Sequence, residues 1–286
     1  MNMTETMRTI ARIGMAKQGE MFGLRMYDVF PMGDIDPFLL LHHHGPHRFP
    51  PHNAGFPEEP HPHRGMQTVT FLLDGEMNHR DNIGNHGTLR AGGVEWLSAG
   101  KGLQHMGELS EDFKARGGTL QIMQLWVNLP ARLKMSEPRF RAVQKEEIPT
   151  LNLDNGNVTA GLVAGAWDGQ PGALGEDVGV DLSTIRFRAG GRLALNIPAD
   201  RNILFYVARG GLRVNGNIVD EHGIAQFRND GTALDITADD DALLLLGHAK
   251  PLGEPVAARG PFVMNTDLEI RQAYLDFRNG IFGAWN

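Results

Sequence analysis

Cysteine is absent from all 286 residues, which excludes disulfide bridges, thiolate metal ligands and nucleophilic cysteine chemistry on this chain. Any metal must then be held by histidine, carboxylate or backbone oxygen. Also missing is any run of about eighteen apolar residues that could cross a bilayer as a helix. The first 17 residues include Glu5 and have no apolar core of the kind a secretory signal needs. Basic excess is lacking too: the formal charge is -7 and no Lys/Arg run occurs, so nothing draws the chain generally toward nucleic acid or an anionic membrane. No glycine-rich phosphate loop opens a helix, and there is no Gly-x-Ser-x-Gly elbow or His-Glu-x-x-His helix. The expectation from these absences is a soluble, cytoplasmic protein with no direct nucleic-acid or membrane partner; oligomeric state is not written in the sequence, and a monomer is the default.

What is abundant is punctuation. The 36 glycines and 16 prolines are scattered between short apolar runs, a spacing that suits many short strands better than helices. The expected class is all-β. Strands are predicted at Arg25–Phe30, Phe38–Leu41, Gln67–Leu73, Leu89–Ser98 and Leu120–Leu129 in the first half, with a histidine- and proline-rich loop over His42–Pro60. In the second half, runs such as Val158–Ala164, Val180–Phe187, Ile203–Ala208 and Ala242–Leu246 continue the pattern. Asn215-Gly216 predicts a two-residue hairpin turn. One helix is expected, Asp267–Phe277, with Thr266 or Asp267 as its cap and Gly280 beyond its end. The polar stretch 131–153 suggests a domain connection, dividing the chain into 1–140 and 141–286.

Histidine is unevenly spread. His42, His43, His44, His47, His52, His61 and His63 fall within 22 residues. His61 and His63 stand at i and i+2 beside Pro62, and on an extended segment they project to one face and can converge on one ion. His105 follows forty-two residues after His63 at the end of a glycine-rich approach, with Glu108 just beyond. These four form a candidate nitrogen and oxygen site for one divalent transition metal, with Glu108 also a candidate general base. Histidine and carboxylate accept iron, nickel, copper, manganese or zinc. The contiguous trio His42, His43 and His44 reads as structural, and His79 and His86 stand as reserve ligands. Arg64 and Lys101 could attract an anionic substrate or be paired with acidic neighbours. His222 and His248 are isolated, so the second half is expected to carry no metal ligands.

With His61-Pro62-His63-Arg64-Gly65, the run Gly92-Gly93-Val94-Glu95-Trp96-Leu97-Ser98-Ala99-Gly100-Lys101-Gly102 and His105 in place, the chain resembles the pirin family of the cupin superfamily. Asp36-Pro37-Phe38-Leu39-Leu40, His79-Arg80-Asp81-Asn82, Leu125-Trp126-Val127-Asn128-Leu129 and Gly260-Pro261-Phe262-Val263-Met264-Asn265-Thr266 extend the resemblance over nearly the whole chain. It implies two cupin-type (jelly-roll) β-barrel domains with a short C-terminal helix and one metal, usually iron as Fe(II), in the first barrel. By resemblance His61, His63 and His105 are ligands. The family's glutamate, two positions after the third histidine, is here Gly107. Glu108 is one residue further along, where an extended backbone turns it to the opposite face. It can substitute only if the chain bulges or turns at Gly107; otherwise water completes a three-histidine site. The resemblance implies a metal-dependent dioxygenase of the quercetin 2,3-dioxygenase kind, opening a flavonol-like ring with O2. Its alternative is an iron-containing, redox-sensing regulator that binds a protein partner. A third reading is a binding module whose site the change at Gly107 has weakened.

Overall fold

Short alternating segments broken by glycine turns become strands almost throughout. A computed structural model describes residues 6–56, 59–174 and 178–285, and among these only Glu111–Arg116 and Asp267–Arg278 are α-helices. None of the helices is long and apolar enough to cross a membrane.

The chain forms two compact units. One comprises Gln18–Asp28, Phe38–Glu146 and the tail from Leu252; the other takes the segment up to Lys17, Val29–Pro37 and Glu147–Pro251. The single cut expected at 140/141 therefore becomes an interleaved division. Its physical cause is strand and tail pairing that no local pattern announces. Ile10–Met15 joins the second unit by pairing with Gly223–Phe227, and Val263 sits in the first unit's core with Leu39, Met66, Leu97 and Leu103.

In the first unit a seven-stranded sheet runs in the order Arg139–Val143, Val94–Ser98, Met66–Asp74, Gly118–Asn128, Phe38–Phe49, Leu24–Asp28, Lys17–Met21. A four-stranded sheet, His61–His63, Leu103–Leu109, Glu76–Asp81, His86–Arg90, completes the barrel. Met66–Asp74 is buried on both faces up to its last residue, as the apolar run predicts. The second unit repeats the plan. Its seven-stranded sheet centres on Asn202–Arg209, Ala242–Ala249 and Val180–Phe187, and its four-stranded sheet contains Arg192–Asn196, Ala233–Thr237, Leu212–Val214 and Asn217–Val219. Phe187, Phe205, Val207, Leu234 and Leu244 fill the space between them.

The all-β, two-barrel expectation holds, as do the hairpin at Asn215-Gly216 and the terminal helix, whose Thr266 side chain accepts from the Glu269 amide. Two local expectations give way. The stretch expected as a loop from His42 is strand as far as Phe49, paired with Gly118–Asn128. A register shift between Leu120 and Ile122 absorbs Gly45 and Pro46, which is how a proline fits inside this ladder. Leu89–Ser98 is two strands, because Gly92 at φ 88 turns the chain between them.

Candidate metal centre

Strand register alone brings three histidines together. In the antiparallel pairing of Leu103–Leu109 with His61–His63, His105 stands directly across from His61 and Leu103 across from His63. Ring centroids lie 4.5 Å apart for His61–His105, 5.0 Å for His61–His63 and 5.1 Å for His63–His105. One nitrogen from each ring lies within 4.8 Å of the others, the only such group of three His, Asp or Glu among the described residues.

Backbone carbonyls set the tautomers. His61 Nδ1 is 3.0 Å from the Glu59 carbonyl and His63 Nδ1 is 3.2 Å from the Pro261 carbonyl. A carbonyl only accepts, so each Nδ1 carries the proton and each Nε2 keeps its lone pair. This is the outer hydrogen bond that orients metal-binding histidines. Burial lowers the pKa of all three. His63 falls to about 3, through burial and then the charge of His61, and His105 is pushed well below its usual value by burial and then by its histidine neighbours. The rings are therefore neutral near pH 7, the form that binds metal. His63 Nε2 and both nitrogens of His105 are buried without a hydrogen-bond partner. Buried polar atoms are otherwise satisfied in proteins, and a bound cation would satisfy these, so the donor set fits a borderline transition metal.

Neighbouring groups hold the cluster in place. Gly65, at φ 76, follows the histidine pair, and a Cβ there would lie 2.0 Å from the Val263 carbonyl oxygen. Buried Lys134 donates to the carbonyls of Gly65 and Val263 and to Asn128 Oδ1. Trp126 meets His63 edge-on at 5.2 Å. Arg64 pairs with Asp276 at 2.7 Å, and Lys101 with Glu137 at 2.6 Å. These two cations, read as possible substrate attractors, are thus engaged in structural pairs.

Glu108 is not brought to the cluster. The ladder runs without a register shift through His105↔Asp81, Met106↔Arg80, Gly107↔His79 and Glu108↔Asn78. The bulge that Glu108 required is absent from this pairing, and its side chain is 43% exposed, 3.8 Å from Lys114 Nζ. What does share the inner face is His79, opposite Gly107, with its ring 5.7 Å from that of His105. His79 stacks on Phe140 at 3.8 Å and stands between two carboxylates, Asp81 at 3.4 Å and Glu95 at 3.7 Å. Burial raises the pKa of Glu95; for Asp81 burial is outweighed by hydrogen bonds from His79 and Asn85, leaving it lowered. Sequence spacing alone does not mark Glu95, Phe140 and Lys134 as site residues. Their contribution depends on sheet order and not on sequence spacing. His43 is buried against Gln121, and His86 is exposed, so neither joins the centre.

Two facing sheets in each unit, with a three-histidine cluster in one of them, define a two-barrel cupin protein in which His61, His63 and His105 could hold a metal. The chain belongs to the pirin family. Residues 24–127 match the Pirin family model and residues 182–283 match that of the Pirin C-terminal cupin domain. It is 39% identical over 251 residues to a pirin-like protein of Caulobacter vibrioides, covering 87% of this chain and 88% of that one. A solved quercetin 2,3-dioxygenase from Acinetobacter baumannii superposes with a TM-score of 0.93 at 31% identity, covering 98% of this chain and 99% of the other. The bacterial pirin YhhW of Escherichia coli in complex with nickel(II) shares the fold, with a TM-score of 0.65 at 21% identity, covering 84% of this chain and all of that one (100%).

Proposed function

We propose that the protein is a metal-dependent dioxygenase that opens a flavonol-like ring with O2. The observation that carries this reading is the convergence of three neutral imidazoles, those of His63 and His105 with unpartnered buried nitrogens, in a chain similar to a quercetin 2,3-dioxygenase. His61, His63 and His105 would hold the metal, with Fe(II) the first expectation. When bound, such an ion would supply Lewis-acid chemistry toward a flavonol hydroxyl.

The rest is the work of this chain's own side chains. Trp126 and Phe140 offer flat apolar walls beside the cluster, suited to an aromatic ring system and to keeping water out. Gly107 contributes no side chain to the inner face beside His105 and His79. His79, backed by Asp81 and Glu95, is the polar group that faces Gly107 beside the cluster. No carboxylate on the histidine-bearing strand takes this place, since Glu108 faces Lys114.

Oxygen uptake by metal-loaded protein with a panel of flavonols tests the proposal. Uptake that His105→Ala abolishes is the expected outcome. Metal-replete protein that consumes no oxygen with any flavonol would overturn it.

A further inference from the structure

We propose that His42, His44 and Gln124 are specificity-determining residues of the first barrel, forming a subsite that binds phenolic hydroxyl groups on the part of the ligand lying away from the metal centre. The inference rests on the dioxygenase reading for which end of the ligand meets the metal, and adds to it the residues that choose among flavonol-like molecules.

Strand register places these three side chains. Ile122 pairs with Leu72, and both pack with Leu89 and Leu109 of the four-stranded sheet, so this face of the Gly118–Asn128 strand looks into the barrel. Gln124 and Trp126 follow at two-residue intervals on the same face. Across the ladder to Phe38–Phe49, Ile122 stands opposite His44, Gln124 opposite His42 and Trp126 opposite Leu40, with no register shift between them. Directly opposed residues of an antiparallel pair share a face, so His42 and His44 point into the barrel and His43 points the other way. Trp126 joins this region to the metal centre, since its ring meets that of His63 and its Nε1 donates to Gln124 Oε1 at 3.3 Å. Same-face positions are about 7 Å apart along a strand, so the Gln124–His42 pair stands about one ring system beyond the indole.

The inner face is open here. Leu40, His42, His44, Gln124 and Trp126 are half-buried, whereas Leu41, His43, Met123 and Leu125 between them are sealed. Among the described residues no hydrogen bond engages either the His42 or the His44 ring, which touch only each other edge-on at 6.1 Å, and none of their nitrogens is closed off from solvent. The indole can only donate, so it fixes the Gln124 amide with Oε1 toward Trp126 and leaves Nε2 as an open donor. Three polar groups on one accessible face are thus left for a ligand.

Their chemistry selects a hydroxyl. Burial lowers the pKa of His42 against the opposing effect of Asp28, and burial and then the charge of His42 lower His44 to about 4, so both rings are neutral near pH 7. A neutral imidazole offers one donor and one acceptor, which a phenolic hydroxyl matches by giving and taking one hydrogen bond. An anionic group is disfavoured, because Asp28 stands directly across from His42 on the same face and the three residues supply no cation. A bare hydrocarbon ring would cover all three groups and leave them unmet, and sites built to bind a hydroxyl reject analogues that lack it for this reason.

The test is calorimetric titration, with oxygen excluded, of the metal-loaded full-length protein with fisetin and with 3-hydroxyflavone. The two share the hydroxy-ketone edge that would face the metal and differ only in the hydroxyl groups of the outer rings. Fisetin is expected to bind at least about tenfold more tightly. In His42→Phe/His44→Phe and in Gln124→Leu that preference should fall to about threefold or less, through weakened fisetin binding. Thermal melting confirms that the variants fold. Three results would each overturn the proposal: fisetin bound no more tightly than 3-hydroxyflavone by the native protein, a preference undiminished in both variants, or a loss shared equally by the two ligands. Because no oxygen is present, the dioxygenase reading is judged separately. Binding as described, followed by no oxygen consumption when air is admitted, would refute that reading and leave the subsite standing.

Discussion

Gly107 stands directly across the ladder from His79, two residues along from the His105–Asp81 pair and on the same face. A side chain at position 107 would therefore enter the same inner face as the three clustered histidines, whereas one at 108 would not. Gly107→Glu is expected to add a carboxylate to the cluster and tighten metal binding about tenfold, read by competition with a chelator. Glu108→Gln, which removes only a partner of Lys114, should leave metal content unchanged by elemental analysis.

Removing the metal should cost stability in proportion to its affinity. With free metal at about 100 times the dissociation constant, linkage contributes about 2.7 kcal/mol. Treatment with a chelator is expected to lower the melting temperature of the native chain by several degrees. His61→Ala/His63→Ala should bind no metal and show no such response.

Lys134 is a structural test of the same region. Its ammonium group satisfies two carbonyls and one amide oxygen, and burial lowers its pKa to about 8. Lys134→Met keeps the length of the side chain but leaves those acceptors unmet, at a cost of about 2–4 kcal/mol. Urea denaturation measures the loss. Gly65→Ala is expected to be worse, because the new methyl meets backbone that cannot move aside.

Acid sensitivity should trace partly to His44, whose pKa burial, and then the charge of His42, lower to about 4. The unfolded chain takes up this proton near pH 6.5 and the folded chain resists it until about pH 4. Stability is thus complete above about pH 6.5 and falls as the pH drops toward 4, by at most about 1.4 kcal/mol per pH unit for this one group. His44→Gln should flatten that limb in denaturant titrations of the metal-free protein.

The parts of this molecule that could be read from sequence were those decided by neighbours in the chain. His61 and His63 share a face because strand side chains alternate, and Asn215-Gly216 turns because both residues accept positive φ. The terminal helix announced itself by its cap. Long-range pairing was invisible: Pro261 fixing the His63 tautomer, Lys134 pinning Gly65, and His79 facing the gap at Gly107 all depend on sheet order. The ambiguity at Glu108 was likewise one of register, since a bulge would have reversed its direction and no residue type reveals one.

The His63–Pro261 hydrogen bond also places the candidate centre in time. During synthesis His61, His63 and His105 leave the ribosome long before residue 261, and Val263, which packs beside Met66, emerges later still. Until then one imidazole lacks the carbonyl that orients it and its barrel lacks part of its core. Assembly of the candidate centre is thus a late event in biogenesis, reached only when the chain has been made past residue 261, and a chain broken off before that residue would carry all three histidines without the carbonyl that orients His63.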